Sequence, residues 1–247
     1  MSDRFTDDLL LGGRIRLRQP ARGFRVAIDS ILLAASVPAV AGERVLDLGC
    51  GTGGAALALL ARCPGTSVVG LETQADFAAL ARDNAALNAM SDRLTVLHGT
   101  VENPPAGLGA GFDRAMANPP YFDPRATDAS PEPSRATASV EGADGLAPWI
   151  ALAARSLKAG GTLTMIHDAA RCEEIVALLT GWSTIVLPLI PKAGRSAKRV
   201  LIEARRPGSG VTRRPPLVLH AADGSYRVEI EAVLRHAAPL VLAAASG

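Results

Sequence analysis

Val45-Leu46-Asp47-Leu48-Gly49-Cys50-Gly51-Thr52-Gly53 runs from a short apolar strand, through three alternating glycines, into the Ala/Leu-rich helix expected from Gly53 to Arg62. Glycines at such a turn supply positive φ and let the backbone approach a ligand with no Cβ in the way. Glu72 closes the next strand-like run, 19 residues after Gly53. A carboxylate there can take both hydroxyls of a ribose. A dinucleotide turn asks for Gly-x-Gly-x-x-Gly, whereas this one reads Asp-x-Gly-x-Gly-x-Gly. Asp47 stands two residues before the first glycine, where an acidic group can meet a cationic amino-acid moiety.

Working outward, strands and helices alternate. Strand-like runs at 44–48, 67–71, 94–97, 112–117 and 162–167 are separated by helical runs at 53–62, 74–88 and 146–157. That alternation predicts βαβ units and a mostly parallel sheet. A helix is expected over 169–180. The runs 183–189 and 199–204 have no helix between them and so are expected to pair antiparallel. A linker at 207–216 precedes a strand at 217–220 and a helix at 226–238. Before the glycine turn, Leu9 to Leu17 reads as a hairpin around Gly12-Gly13, followed by a short helix with Asp29 as its expected N-cap. The expected division is an extension over residues 1–40 packed on a catalytic unit over 41–247.

Asn118-Pro119-Pro120-Tyr121 directly follows the fourth of these strands. Two prolines fix φ and remove two N–H donors, so the turn is stiff. The Asn118 side-chain oxygen and the Pro119 carbonyl can each accept a hydrogen bond from a planar amino group, and Tyr121 offers a face for stacking. Two acceptors gripping the hydrogens of an exocyclic amine favour a pyramidal nitrogen and aim its lone pair. That is catalysis by positioning and electrostatics. A nucleobase would have to leave its stack to reach such a pocket.

The 247 residues are 48% hydrophobic, 20% charged and 4% aromatic, which excludes disordered and collagen-like chains. No stretch approaches the ~20 apolar residues of a membrane span, and the first residues lack a secretory pattern. Cys50, Cys63 and Cys172 show no Cys-x-x-Cys spacing, and His98, His167, His220 and His236 are scattered, so no metal is expected. These features fit a cytoplasmic protein. The net charge is +2, but unevenly spread: residues 41–191 hold 10 Lys and Arg against 16 Asp and Glu, while 192–214 hold eight basic groups against Glu203 alone. Such a basic segment can face phosphates. Trp149, Trp182 and Cys50 read as packing residues.

The glycine turn resembles motif I of the class I S-adenosylmethionine (AdoMet) methyltransferases, with Glu72 as the acidic end of motif II. Asn118 to Tyr121 looks like motif IV of the amino-methyltransferases acting on adenine N6, guanine N2, cytosine N4 or glutamine amide. Gly23-Phe24-Arg25-Val26-Ala27-Ile28-Asp29-Ser30-Ile31-Leu32-Leu33, Gly194-Arg195-Ser196-Ala197-Lys198-Arg199-Val200-Leu201-Ile202 and Leu217-Val218-Leu219-His220 resemble segments of the bacterial valine-tRNA adenine-37 N6-methyltransferases. The resemblance implies a Rossmann-like α/β fold with a seven-stranded sheet, one strand antiparallel and helices on both faces. It implies AdoMet as cofactor and tRNA as substrate. Asn118, Pro119, Pro120 and Tyr121 would hold the target amine. Arg25, Asp29, Asp47, Gly49, Gly51, Gly53, Glu72, Thr100, Val101 and Asn118 would surround the cofactor, with Thr100 where many relatives carry an Asp. Arg135, Arg195, Lys198 and Arg199 would meet RNA. Two alternatives stay open: the same chemistry on a glutamine amide or rRNA guanine N2, and a non-catalytic RNA-binding protein on the same fold.

Overall fold

A computed structural model describes residues 5–22, 25–121 and 145–242. The fold centres on the strand that carries the glycine turn, β3 (Arg44–Leu48), followed by α2 (Gly54–Arg62), β4 (Ser67–Glu72), α3 (Ala75–Leu87), β5 (Leu94–His98) and β6 (Phe112–Ala117). Then come α4 (Ala147–Ser156), β7 (Leu157–Asp168), α5 (Cys172–Leu178), β8 (Ser183–Lys192), β9 (Arg199–Arg205), β10 (Val211–Arg213), β11 (Leu217–His220) and α6 (Val228–His236). Ahead of β3 stand the antiparallel hairpin β1 (Phe5–Leu10) and β2 (Ile15–Pro20), and α1 (Ile28–Ser36).

The strand order is β10-β8-β9-β7-β6-β3-β4-β5, with β11 also pairing β8. β9 alone runs antiparallel to its neighbours in this sheet. The expected seven strands are β3 to β9, and the sheet is extended to nine because β10 and β11 both pair along β8. β10 falls inside the segment read as a linker. Only three residues long and fully exposed, it has no apolar alternation to announce it.

Side chains alternate across the sheet with a period of two. Val45 joins the apolar layer built with α1 and α2, while Leu46 and Leu48 join the layer built with α4. Burying each such Leu contributes about 1.5–3 kcal/mol. Asp47, two residues from Val45, therefore points to the α1/α2 side. The chain winds from β3 one way to β4 and β5 and returns on the other side to β6 and β7. That reversal puts a crevice beyond the carboxyl ends of β3 and β6, where open α/β sheets bind ligands.

The hairpin is fastened by side chains. Asn84 Oδ1 accepts from Arg18 N–H at 2.8 Å, its Nδ2 donates to the Arg18 carbonyl at 2.8 Å, and Asn88 repeats the pattern one turn later on Arg16. Two asparagines on α3 thus satisfy backbone groups on the open edge of β2. Asn84 Nδ2 also donates to the Thr52 carbonyl at 2.9 Å, tying the hairpin to the glycine turn. The residue capping α1 is Ala27, with no side-chain hydrogen bond, and Asp29 lies within the first helical turn. The expectation of Asp29 as N-cap is corrected: its carboxylate has other partners.

Among the described residues no helix is long and apolar enough to cross a membrane, and no cluster of His, Cys, Asp or Glu could hold a metal ion.

Candidate active site

Asp47, Glu72 and Asn118 stand at the carboxyl ends of three adjacent parallel strands, with Leu48 in register with both Leu71 and Ala117. Gly49, Gly51 and Gly53 have φ of 71°, 57° and 88°, as the turn chemistry requires. The turn is closed by the Leu71 carbonyl, which accepts from Gly49 N–H at 2.8 Å and Cys50 N–H at 3.0 Å. A Cβ on Gly49 would lie 2.7 Å from Cη2 of Trp149, so the indole of α4 packs directly on the turn. Trp182 is buried in the core. Cys50 is buried, and burial pushes its thiol well above the ordinary range, which suits a packing residue.

The two carboxylates of this end behave differently. Glu72 is buried but satisfied: one oxygen accepts from Gly51 N–H and the other from Gln74 N–H, both at 2.8 Å. It shapes the turn, with the Thr73 N–H also acting on it, and keeps acceptor capacity beyond these bonds. Asp47 is 2% exposed, and its Oδ2 is buried with no hydrogen-bond donor among the described residues. Burial, then the Glu72 charge, pushes its carboxyl up to about 7. Thr52 Oγ1 is likewise buried without a partner. Asp47, Gly49, Gly51, Ser30, Val26 and Asn118 line one small cleft. A buried acceptor lacking a donor fits the ammonium of an amino-acid moiety, so the residues present suit an AdoMet site.

Asn118 begins a turn held by side chains from three other elements. The Tyr121 hydroxyl lies 2.6 Å from Asn118 Oδ1 and 3.0 Å from Asp29 Oδ2. Arg199 Nε donates to the same Asp29 oxygen at 2.8 Å, and its guanidinium carbon sits 4.3 Å from the centre of the Tyr121 ring. His167 Nε2 lies 3.2 Å from the Pro120 carbonyl, and its ring stands edge-on to Tyr121 at 5.1 Å. Burial holds His167 down at about 4, so it is neutral and donates Nε2–H to that carbonyl. Burial, then the Asp29 charge, raises the Tyr121 phenol above its usual range.

The structure thus brings Asp29, Asp47, the three glycines, Glu72 and Asn118 to Tyr121 to one end of the sheet. Arg25 is placed elsewhere: it pairs with Asp8 at 2.6 Å and donates to Thr6 Oγ1 at 2.7 Å within the hairpin. Thr100 Oγ1 accepts from Asn103 N–H at 3.0 Å in the loop after β5, beside the buried Val101. Arg195 and Lys198 are exposed in the turn between β8 and β9, whereas Arg199 is committed to Asp29, Tyr121 and, at 3.5 Å, Asp168. Arg135 lies outside the described residues. Sequence reasoning missed Ser30 and Val26 in the cleft, and His167 and Asn84 as supports. The only local signal was the position of His167 near the end of its strand.

Residues 25–177 match the methyltransferase small domain family. A tRNA1(Val) (adenine(37)-N6)-methyltransferase from Aeromonas hydrophila is 31% identical over 206 residues, spanning 82% of this chain and 85% of that protein. A release factor glutamine methyltransferase from Deinococcus radiodurans is 32% identical over 174 residues, spanning 67% of this chain and 59% of that protein. Among solved structures, a protein from Agrobacterium tumefaciens described as a predicted O-methyltransferase superposes with a TM-score of 0.71 at 26% identity, covering 86% of this chain and 98% of that one.

Proposed function

From the premise that the chain belongs to the methyltransferase small domain family, and within it to the tRNA1(Val) (adenine(37)-N6)-methyltransferases, we propose that it methylates the exocyclic N6 amine of an adenine in tRNA, at position 37 of a valine tRNA. The observation that carries this reading is that Asp47, whose Oδ2 has no donor among the described residues, and Asn118 line the same cleft. One end therefore receives a cation and the other a planar amine.

AdoMet, when bound, supplies an electrophilic methyl on a sulfonium. Asp47 takes the ammonium of its amino-acid moiety, and Glu72 offers its remaining lone pairs to the ribose hydroxyls. Gly49, Gly51 and Gly53 keep Cβ atoms out of the approach, and Thr100 and Val101 border the base. Asn118 Oδ1 and the Pro119 carbonyl accept from the two amine hydrogens, and Pro120 stiffens the turn that holds them apart. Tyr121 lends its ring to the unstacked base. Arg195 and Lys198 contact phosphates, fixing register and adding no sequence information; Arg135 is assigned with them. The same reading treats residues 1–40 as an extension on a catalytic unit over 41–247 and places the protein in the cytoplasm.

The release factor relative supports a second reading, in which a glutamine amide enters the same turn. The two separate when the protein is incubated with methyl-labelled AdoMet and pools of unmodified tRNA, rRNA and cell protein. N6-methyladenosine in digested tRNA is the expected product. Label confined to glutamine or to N2-methylguanosine would replace the acceptor.

A further inference from the structure

The Tyr121 hydroxyl stands between two acceptors, Asn118 Oδ1 at 2.6 Å and Asp29 Oδ2 at 3.0 Å. A neutral phenol has one proton to donate, so it can satisfy only one of them at a time. The shorter distance gives that proton to Asn118, the oxygen that the proposed function requires for the amine. The turn therefore rests with one of the two lone pairs of its working acceptor taken. An arriving amino group either shares that oxygen with the phenol, as a weaker acceptor, or has the whole of it once the hydroxyl turns away.

Asp29 gives the hydroxyl somewhere to turn. Its side chain is 14% exposed, and its Oδ2 already accepts from Arg199 Nε at 2.8 Å. Left alone at that burial, a carboxylate would draw the phenol proton permanently, because a charged acceptor binds a hydrogen bond about twice as strongly as a neutral one. The guanidinium occupies one of its lone pairs and balances its charge, which brings the two acceptors closer in strength. The same guanidinium lies over the Tyr121 ring at 4.3 Å and holds the ring, and with it the Cζ–O axis about which the hydroxyl turns. Neither residue is local to the turn: Asp29 lies 92 positions before Tyr121, and Arg199 lies 170 positions after Asp29.

We propose that Asp29 and Arg199 are positioning residues that act on Asn118 through Tyr121. Asp29 is the second acceptor to which the Tyr121 hydroxyl turns when a planar amine takes Asn118 Oδ1, and Arg199 holds the carboxylate and the ring in place for that turn. The hydroxyl rotates about its Cζ–O bond and no bond to hydrogen is broken. This inference rests on the proposed function, because it needs an amine at Asn118.

A double-mutant cycle tests it. Steady-state kcat and KM with unmodified tRNA, and AdoMet affinity by calorimetry, are measured for wild type, Asp29→Ala, Tyr121→Phe, the double variant and Arg199→Lys. Asp29→Ala is expected to lower kcat roughly tenfold, while in the Tyr121→Phe background it changes kcat less than about twofold, since the hydroxyl is gone. AdoMet affinity stays near wild type throughout. Arg199→Lys is expected to follow Asp29→Ala, because an ammonium cannot both lie flat on the ring and donate from a fixed fork. Should Asp29→Ala not fold, Asp29→Leu gives the same cycle with the acceptor removed and the volume kept.

Equal losses from Asp29→Ala in both backgrounds would overturn the coupling, as would wild-type kcat in Arg199→Lys. Loss of AdoMet affinity in Asp29→Ala would move Asp29 to the cofactor and overturn it too. If the wild type methylates a different amine, the proposed acceptor fails and the cycle is read with the acceptor found. If it transfers no methyl to any acceptor, the proposed function fails and this inference with it.

Discussion

The two halves of the cleft are built on opposite principles. At the glycine turn the protein leaves polar demand unmet: Asp47 Oδ2 and Thr52 Oγ1 are buried without partners among the described residues. At the Asn-Pro-Pro-Tyr turn side chains reach in to the polar groups, Tyr121 on Asn118, His167 on Pro120, and Arg199 on Asp29. An unmet buried acceptor costs about 1–3 kcal/mol, so the first half gains by binding a cation. The second half already carries a phenol hydrogen bond on Asn118 Oδ1, which an arriving amine shares or displaces. On the proposed function, affinity is concentrated in one half and selectivity for an amino group in the other.

The sharpest way to break this contrast is Asn118→Ala. Removing a positioned polar group that works at the reacting centre costs about 10²–10³ in kcat, and that loss is expected here under saturating AdoMet. A loss smaller than tenfold would mean that Asn118 is not where the amine is held.

Gly49→Ala strikes the other half through its backbone. The residue sits at φ 71°, and a Cβ would meet the Trp149 ring at 2.7 Å. Strain of about 1–2 kcal/mol from the left-handed conformation adds to that clash. A lower Tm and weaker AdoMet binding should appear together, read by thermal melts with and without cofactor. An unchanged melt would show that the turn tolerates a side chain and that the indole moves freely.

Titration sharpens the contrast further. The folded-state pKa of Asp47 is raised from 3.8 to about 7. Its contribution to stability is therefore full below about pH 4 and is lost as pH rises through about 7. A bound ammonium favours the charged carboxylate, so AdoMet affinity should move the opposite way and strengthen across the same window. Asp47→Asn should flatten both profiles. AdoMet binding independent of pH between 6 and 8 would argue against an Asp47–ammonium contact.

The smallest effects belong to the surface. Arg195→Ala or Lys198→Ala should weaken tRNA binding only a few-fold and lower the salt slope by about 0.7–0.9 each. AdoMet affinity should be untouched. An unchanged salt slope in the double variant would remove the β8–β9 turn from the RNA contact.

Much of this was legible from local pattern. The glycine order, the carboxylate at the end of the next strand and the Pro-Pro turn after a fourth strand are short-range features, each forced by backbone chemistry. The contacts that organise them are not. Asp29, Tyr121 and Arg199 meet only because β9 inserts between β8 and β7, an order that no periodicity in the chain encodes. Asp29 looked like a helix cap because an Asp before an apolar run usually is one; a carboxylate with a distant arginine partner has the same local sequence. Arg25 looked like a cofactor neighbour, yet its charge is taken by Asp8 across the hairpin. Asn84 and Asn88 gave no signal at all, since pairing a strand edge with helix side chains leaves no motif.

The division of labour between the two halves is tested most directly by calorimetric titration of AdoMet into wild type, Asp47→Ala and Asn118→Ala. A lost charge-assisted hydrogen bond of about 1.5–3 kcal/mol predicts roughly 10–150-fold weaker binding for Asp47→Ala. Asn118→Ala is predicted to bind as the wild type does. Equal weakening in both variants, or undiminished binding by Asp47→Ala, would contradict the account.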